Sequence, residues 1–383
     1  MFKYLLLLSS SLMIMTNAAL APDINTINLA FDNYFYVSLI VSLPALSVAI
    51  CSHFVPLLQF KFGEKKTLSL GLIFYLIAGT SGLWLTSLKF ILVSRIILGI
   101  GLAIIMVVVN SLVGDSIQPS EKKVFLSQQS LFINVSSCLS VILSGFLSLY
   151  HWRLPFIIYI FTLPILLINL KIGRDAQHIQ KKNAFVYSSG PKKNMLVYYF
   201  YGFFGMMIYY MAIVFLPTII GKDLGYPSYI TGFAMAILAF ISAIFGKMLS
   251  YINQKVSANA LICLIFILFS LGQISIAFLH NEIGVMGLIL FFGIGFGWLF
   301  PTLIGEIHVH AQKSSLSRVT AVFMSCYFLG QFMTPFLTKV FISDNIFHLF
   351  FITGIISFIV PLSNTITTYL YIKNKPNKNY KHG

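Results

Sequence analysis

The stretch from Ser94 to Ala103, SRIILGIGLA, lies inside an apolar run from Phe90 to Val109 whose single charge is Arg95. A guanidinium stays protonated at any ordinary pH and accepts no hydrogen bond, so an apolar setting without partners penalises it by several kcal/mol. Arg95 must therefore be paired, hydrated or functional, and its surroundings decide which.

Runs of this kind recur along the whole chain. Each is about 20 residues long, enough for a helix to cross roughly 30 Å of hydrocarbon while satisfying its own backbone groups. Twelve spans are expected, at 4–22, 34–57, 67–86, 90–113, 124–148, 154–171, 195–219, 228–250, 258–279, 284–306, 318–340 and 347–371. The 383 residues are 58% hydrophobic and 9% charged, with a mean hydropathy of +0.90. A soluble domain carries about 25% charged residues, so water cannot solvate this surface. The ten-residue alternation of a membrane β-barrel is missing.

The net charge of +15 follows membrane topology and does not suggest nucleic acid. With the N-terminus in the cytoplasm, Lys3, Lys61, Lys65, Lys66, Lys122, Lys123 and the basic residues of the central linker and C-terminal tail fall on one side. Only Lys89, Arg95, Arg153, Lys222 and Lys339 fall on the other side or in the outer part of a span. This positive-inside asymmetry places both termini in the cytoplasm of a cell with an inner, or plasma, membrane. The first 22 residues resemble a secretory signal ending at Ala19-Leu20-Ala21, but cleavage would put Pro22 first and leave an odd number of crossings. An uncleaved first helix is expected. Cys51, Cys138, Cys263 and Cys326 lie in four different spans, so they form neither a disulfide framework nor a CxxC metal site.

The longest polar interval divides six spans from six. The expected organisation is an N-terminal bundle over 1–172, a cytoplasmic linker over 173–194, a C-terminal bundle over 195–372 and a basic tail over 373–383. LAPDI around Pro22 pairs with FLPTI around Pro217, the GIG at Gly99 with that at Gly293, LSGFL at Gly145 with MTPFL at Pro335, and the turn at Gly63 with that at Asn253. Two similar halves place a binding site between them near the bilayer midplane, where one half rocks against the other.

With this layout, several motifs resemble those of the major facilitator superfamily over essentially the whole chain. The loop PLLQFKFGEKK resembles the family's G-x-x-x-D-R-x-G-R-R, with Gly63 at the turn and Lys61 and Lys65 at basic positions, but with Phe60 at the acid position. Asp115 resembles a recurrent acid at the end of the fourth helix. The resemblance implies a gating link from it to the basic loop; helix capping is the simpler alternative. Arg95 and Gly99 match R-x-x-x-G, and HWRLPF resembles W-R-x-x-F, whereas the fifth helix keeps only Gly145 of an antiporter motif and has Val141 at its proline position. In drug/proton antiporters of the superfamily the matching arginine is associated with proton coupling. The resemblance extends that role to Arg95 as a cation facing the passage, and its alternative is a residue that snorkels to headgroups.

The resemblance places helices one, four, seven and ten around the cavity. The substrate or coupling candidates are Arg95, Asn17, Asp23, Asn134, Tyr201, Tyr209, Trp298 and Gln331. Asn134 belongs to a stripe with Ser127, Ser130, Ser137 and Ser144 that serves either as a helix interface or as a cavity wall. Asp23 is the best titratable coupling group. No carboxylate falls at mid-membrane, which disfavours a lipophilic cation as substrate. The reading is an all-α transporter, likened to drug or metabolite:proton antiporters. It would move a small neutral or anionic solute by proton-coupled efflux, with uptake of an organic anion or nutrient as the alternative. No cofactor, metal, catalytic residue or nucleic acid is expected; the partners are solute, protons and membrane lipids, and the chain is expected to act as a monomer. A polytopic enzyme would need an acid, His or Cys constellation. The local cluster Glu306, His308 and His310 puts its two histidines on different helix faces.

Overall fold

The computed structural model describes residues 2–173, 193–252, 255–310, 316–337 and 346–373, and the side chains of Asp115, Pro119, Lys122, Lys123, Ser127, Lys193, Asn194, Ser250 and residues 316–318 and 361–373 fall outside that description. The regular elements are helical. Six membrane-spanning helices make the first half: α1 (Phe2–Phe31), α2 (Tyr34–Cys51), α3 (Glu64–Leu83), α4 (Leu88–Gly114), α5 (Val124–Leu147) and α6 (Leu154–Ile172). Five more in the second half are α7 (Met195–Asp223), α8 (Ser228–Leu249), α9 (Ala258–Leu279), α10 (Glu282–His310) and α11 (Val319–Phe336). A last helix, α12 (Ile346–Lys373), has its described apolar stretch over Ile346–Val360. The central linker beyond residue 173, the tail beyond Lys373 and the turn residue Asn253 lie outside the described residues.

Local chemistry sets the helix ends. Asn33 caps α2 by accepting from Tyr36 N, and Ser257 caps α9 by accepting from Ala260 N. Gly63, at φ 79°, joins a short helix, Val55–Phe62, to α3, in a backbone region that glycine enters without steric cost.

Two helices are broken at matching places. Pro22 lies in a 3₁₀ turn, Ala21–Asp23, that interrupts α1, and Pro217 is followed by a π turn, Ile219–Asp223, at the end of α7. Proline removes a backbone donor and crowds the preceding turn, so a helix deforms there.

The two GIG stretches make the same contacts in each half. A Cβ on Gly99 would lie 2.5 Å from Pro44 O of α2, and one on Gly101 2.8 Å from Gly71 O of α3. A Cβ on Gly293 would lie 2.7 Å from Ile241 of α8, and one on Gly295 2.7 Å from Phe269 of α9. Small residues thus let α4 and α10 nest against corresponding neighbours, the usual device where lipid supplies no hydrophobic drive between helices.

The halves meet chiefly along α2 with α11 and α5 with α8. Following the charge asymmetry, we call the end that holds the α1–α2, α3–α4 and α5–α6 loops the outer end. There the seam is closed. Tyr34 donates from its hydroxyl to Val214 O at 2.9 Å, Ser148 Oγ lies 2.6 Å from Ser228 Oγ, and Phe146 stacks on Tyr229 at 5.6 Å. Deeper along the seam, Tyr210 donates to Val41 O at 3.0 Å and Ser325 to Ala49 O at 2.8 Å.

Candidate functional site

Arg95 is fully buried. Its Nη2 donates to Ala78 O at 2.8 Å and Gly79 O at 3.2 Å, and its Nη1 to the Tyr159 hydroxyl at 3.4 Å. The rings of Phe156 and Tyr159 lie 5.1 and 5.4 Å from its Cζ, an arrangement favourable for a cation over a π face. Its Nε has no hydrogen-bond partner among the described residues. The guanidinium bonds to α3 and α6 within the first half and exposes no surface.

Glycines make room for this arrangement. A Cβ on Gly79 would meet Tyr159 Cγ at 2.6 Å, and one on Gly82 would meet Phe156 Cε1 at 2.1 Å. Gly82→Ala is expected to push the Phe156 ring off the guanidinium and cost about 1–3 kcal/mol, as overpacking does. A lower melting temperature of the detergent-solubilised protein would register it.

Tyr159 ties the cation to α1. Its hydroxyl donates to Thr16 O at 2.7 Å, Thr16 Oγ1 lies 3.1 Å from the Tyr75 hydroxyl, and the Tyr75 and Tyr159 rings are 5.7 Å apart. Asp23, at the break in α1, lies within electrostatic range of Tyr159. The first half therefore holds a buried cation in contact with Tyr159 and a buried carboxyl whose field reaches the same tyrosine.

Asp23 has no exposed surface. Ser144 of α5 hydrogen-bonds its Oδ2, and the same Ser144 Oγ lies 2.7 Å from Ala19 O. Oδ1 has no partner among the described residues. One turn further along α5, Ser148 meets Ser228 of α8, and Ser228 Oγ lies 3.1 Å from Gly145 O. The carboxyl thus sits just beneath the place where the two halves touch.

The other residues singled out by sequence are dispersed. Asn17 is half-buried, with an Oδ1 that has no partner among the described residues. Asn134 donates to Ser130 O at 2.8 Å within its own helix. Tyr201 packs on Phe266, with ring centroids 5.5 Å apart, and Trp298 Nε1 donates to Phe245 O at 2.9 Å, both contacts inside the second half. Gln331 is buried beside Tyr210, which reaches across the seam. Tyr209 stacks on Phe296. Among the gating candidates, Gly63 forms the turn, Lys61 is exposed with its Nζ 5.3 Å from the Phe62 ring, and Lys65 is half-buried. The side chain of Asp115 lies outside the described residues.

Sequence reasoning missed Tyr75, Tyr159 and Thr16, which join the charged residues. It also missed Glu64, a buried acid that accepts from Ser111 Oγ at 2.9 Å and links α3 to α4. Glu64 stands one position after the turn glycine, whereas Phe60 occupies the acid position of the motif. The Glu306 cluster is a helical i, i+4 contact to His310 at 3.7 Å, with Tyr198 donating to Glu306 Oε2 at 3.2 Å. Among the described residues no group of three or more metal-ligating side chains occurs.

Two six-helix halves of membrane-length apolar helices, two of them broken, with a carboxyl buried beneath a closed seam, define a multi-pass membrane transporter. The family model described as Major Facilitator Superfamily matches residues 6–335, and the chain belongs to that family. Among solved structures, a nucleoside transporter, NupG, superposes with a TM-score of 0.80 at 10% identity, covering 96% of this chain and 99% of that one. A D-xylose-proton symporter does so at 0.74 and 14%, covering 94% and 96%. A POT family transporter in complex with a thioalcohol-conjugated peptide does so at 0.77 and 13%, covering 96% of each chain. At such identities these likenesses establish the fold alone. A search among curated proteins gives no match.

Proposed function

We propose that this transporter couples solute movement to protons, expelling a small drug-like compound or metabolite through an inner or plasma membrane. Both termini lie in the cytoplasm, the chain works as a monomer, and the proton gradient supplies the energy without a cofactor. Neutral and anionic solutes are both compatible with the scarcity of membrane carboxylates.

The observation that carries the coupling is the position of Ser144 between two acceptors, Ala19 O and Asp23 Oδ2. A hydroxyl has one proton to give. When Ser144 donates it to Ala19 O, its bond to Asp23 requires a proton on the carboxyl. When Asp23 loses that proton, Ser144 turns its own toward the carboxylate and releases the carbonyl at the break in α1. Protonation would then change how α1 is held against α5, directly beneath the Ser148–Ser228 contact. Arg95 sets the potential around Tyr159 on the other side.

Asp23→Asn tests this. The variant is expected to lose transport driven by an imposed pH gradient in proteoliposomes by at least tenfold, while solute exchange without a gradient continues. Unchanged gradient-driven transport would remove Asp23 from coupling.

Uptake of a nutrient or organic anion is the second reading. It is supported by the proline position of the fifth-helix antiporter motif being Val141, and by the D-xylose-proton symporter among the similar folds.

A further inference from the structure

The second half presents an uncharged aromatic wall. No Asp, Glu, Lys, Arg or His occurs at 195–221, 283–305 or 319–337, which cover most of α7, α10 and α11. Where these helices converge, Tyr209 of α7 stacks on Phe296 of α10 with centroids 3.6 Å apart and planes 7° apart. Tyr327 of α11 packs against Phe300 at 5.5 Å and Phe323 at 5.9 Å, and lies within electrostatic range of Tyr209. Tyr209 and Tyr327 are 8% and 6% exposed. Neither hydroxyl makes a hydrogen bond among the described residues, and neither is sealed from solvent. The little surface these tyrosines expose therefore includes their polar tips. The site adjoins the seam, because Tyr210 and Ser325 on the same two helices bond across it to α2.

Two chemical requirements follow. Each phenol tip reaches only a sliver of solvent and no protein partner, so a ligand here should replace that water with hydrogen-bonding groups to both hydroxyls. Two similar rings stacked face to face set like quadrupoles against each other, an arrangement aromatic pairs do not prefer. A flat electron-poor ring would stack on Tyr209 more favourably than Phe296 does. A charged solute would find no counter-charge on these helices, and Arg95 is held by α3 and α6.

We infer that the solute is neutral and carries a flat heteroaromatic ring with hydrogen-bonding groups on its edge, and that Tyr209 and Tyr327 recognise it. This rests on the transport reading for its setting, but its test is binding alone. Uridine, thymine and nicotinamide, with D-xylose, lactate and tetraphenylphosphonium as contrasts, are titrated against the full chain in detergent, reading the melting temperature. At least one of the first three is expected to raise it saturably. Tyr209→Phe and Tyr327→Phe should each weaken that ligand about tenfold while leaving the ligand-free melting temperature unchanged. Silence from all three, a saturable response to a contrast compound alone, or affinities untouched by both variants would overturn the assignment. If a ligand binds as expected yet is not moved across proteoliposomes by any gradient, the transport reading fails while the ligand class stands.

Discussion

Arg95→Ala is expected to abolish pH-gradient-driven transport, and Arg95→Lys to reduce it at least tenfold, about 1.4 kcal/mol. The reason is geometric. The planar guanidinium reaches Ala78 O and Gly79 O with one nitrogen and the Tyr159 hydroxyl with another, while its face meets the rings of Phe156 and Tyr159. An ammonium keeps the charge but is a point with a larger hydration requirement, and it cannot hold both sets of partners at once. Tyr159 would then lose the contact that holds its hydroxyl beside Thr16 O. A purely structural role predicts a different pattern: Arg95→Lys would lower the melting temperature and all transport modes together. The coupling role predicts that gradient-driven transport falls while solute exchange without a gradient persists in the fraction that stays folded. Equal losses in both modes would reassign Arg95 to packing.

The sequence made the fold legible because lipid permits so few solutions. Each apolar run long enough to span had to be a helix, and the recurrence of GIG at Gly99 and Gly293 exposed the repeat. The site was less legible. Arg95 stood out as a charge in an apolar run, but its direction was set by Gly79 and Gly82, whose missing side chains open space on α3 for the rings of α6. No spacing on α4 reports that. Tyr159 lay in the run IIYIF and looked like packing, since a hydroxyl with a carbonyl partner on a distant helix leaves no local pattern. Asp23 was found because few carboxylates occur and one beside a membrane span is conspicuous. Its link to Ser144 joins residues 121 apart in sequence, so only the fold could reveal it. Asn134 stands in a hydroxyl stripe on the fifth span, and Tyr201 and Trp298 are aromatic groups on spans that the resemblance places around the cavity. The structure spends their polar atoms or ring faces on neighbours in their own half.

Gly145→Leu is expected to reduce transport to background by preventing the outer end from closing. A Cβ at this position would lie 2.7 Å from Ser228 O and 2.9 Å from Tyr229 Cα, both backbone atoms of the opposing half. Backbone on each side leaves no flexible side chain to yield, so α5 and α8 must separate. The partner position behaves alike, since a Cβ on Gly232 would lie 2.6 Å from Val141 O. Separation breaks the Ser148–Ser228 contact and the Phe146–Tyr229 stack, and it uncovers Asp23 beneath them. Alternating access requires both ends to close in turn, so a transporter held open outside binds solute but completes no cycle. A cysteine placed at Ser228, in a background with the four native cysteines replaced, reads the change directly. In the parent it should react slowly with a membrane-impermeant thiol reagent added outside, and in Gly145→Leu or Gly232→Leu at least tenfold faster. Gly114→Ala is the control, because a Cβ there meets nothing within 4 Å, and it should leave both transport and labelling as they were. Slow labelling in Gly145→Leu, or transport at parental rates, would mean that the α5–α8 contact is not the outer closure.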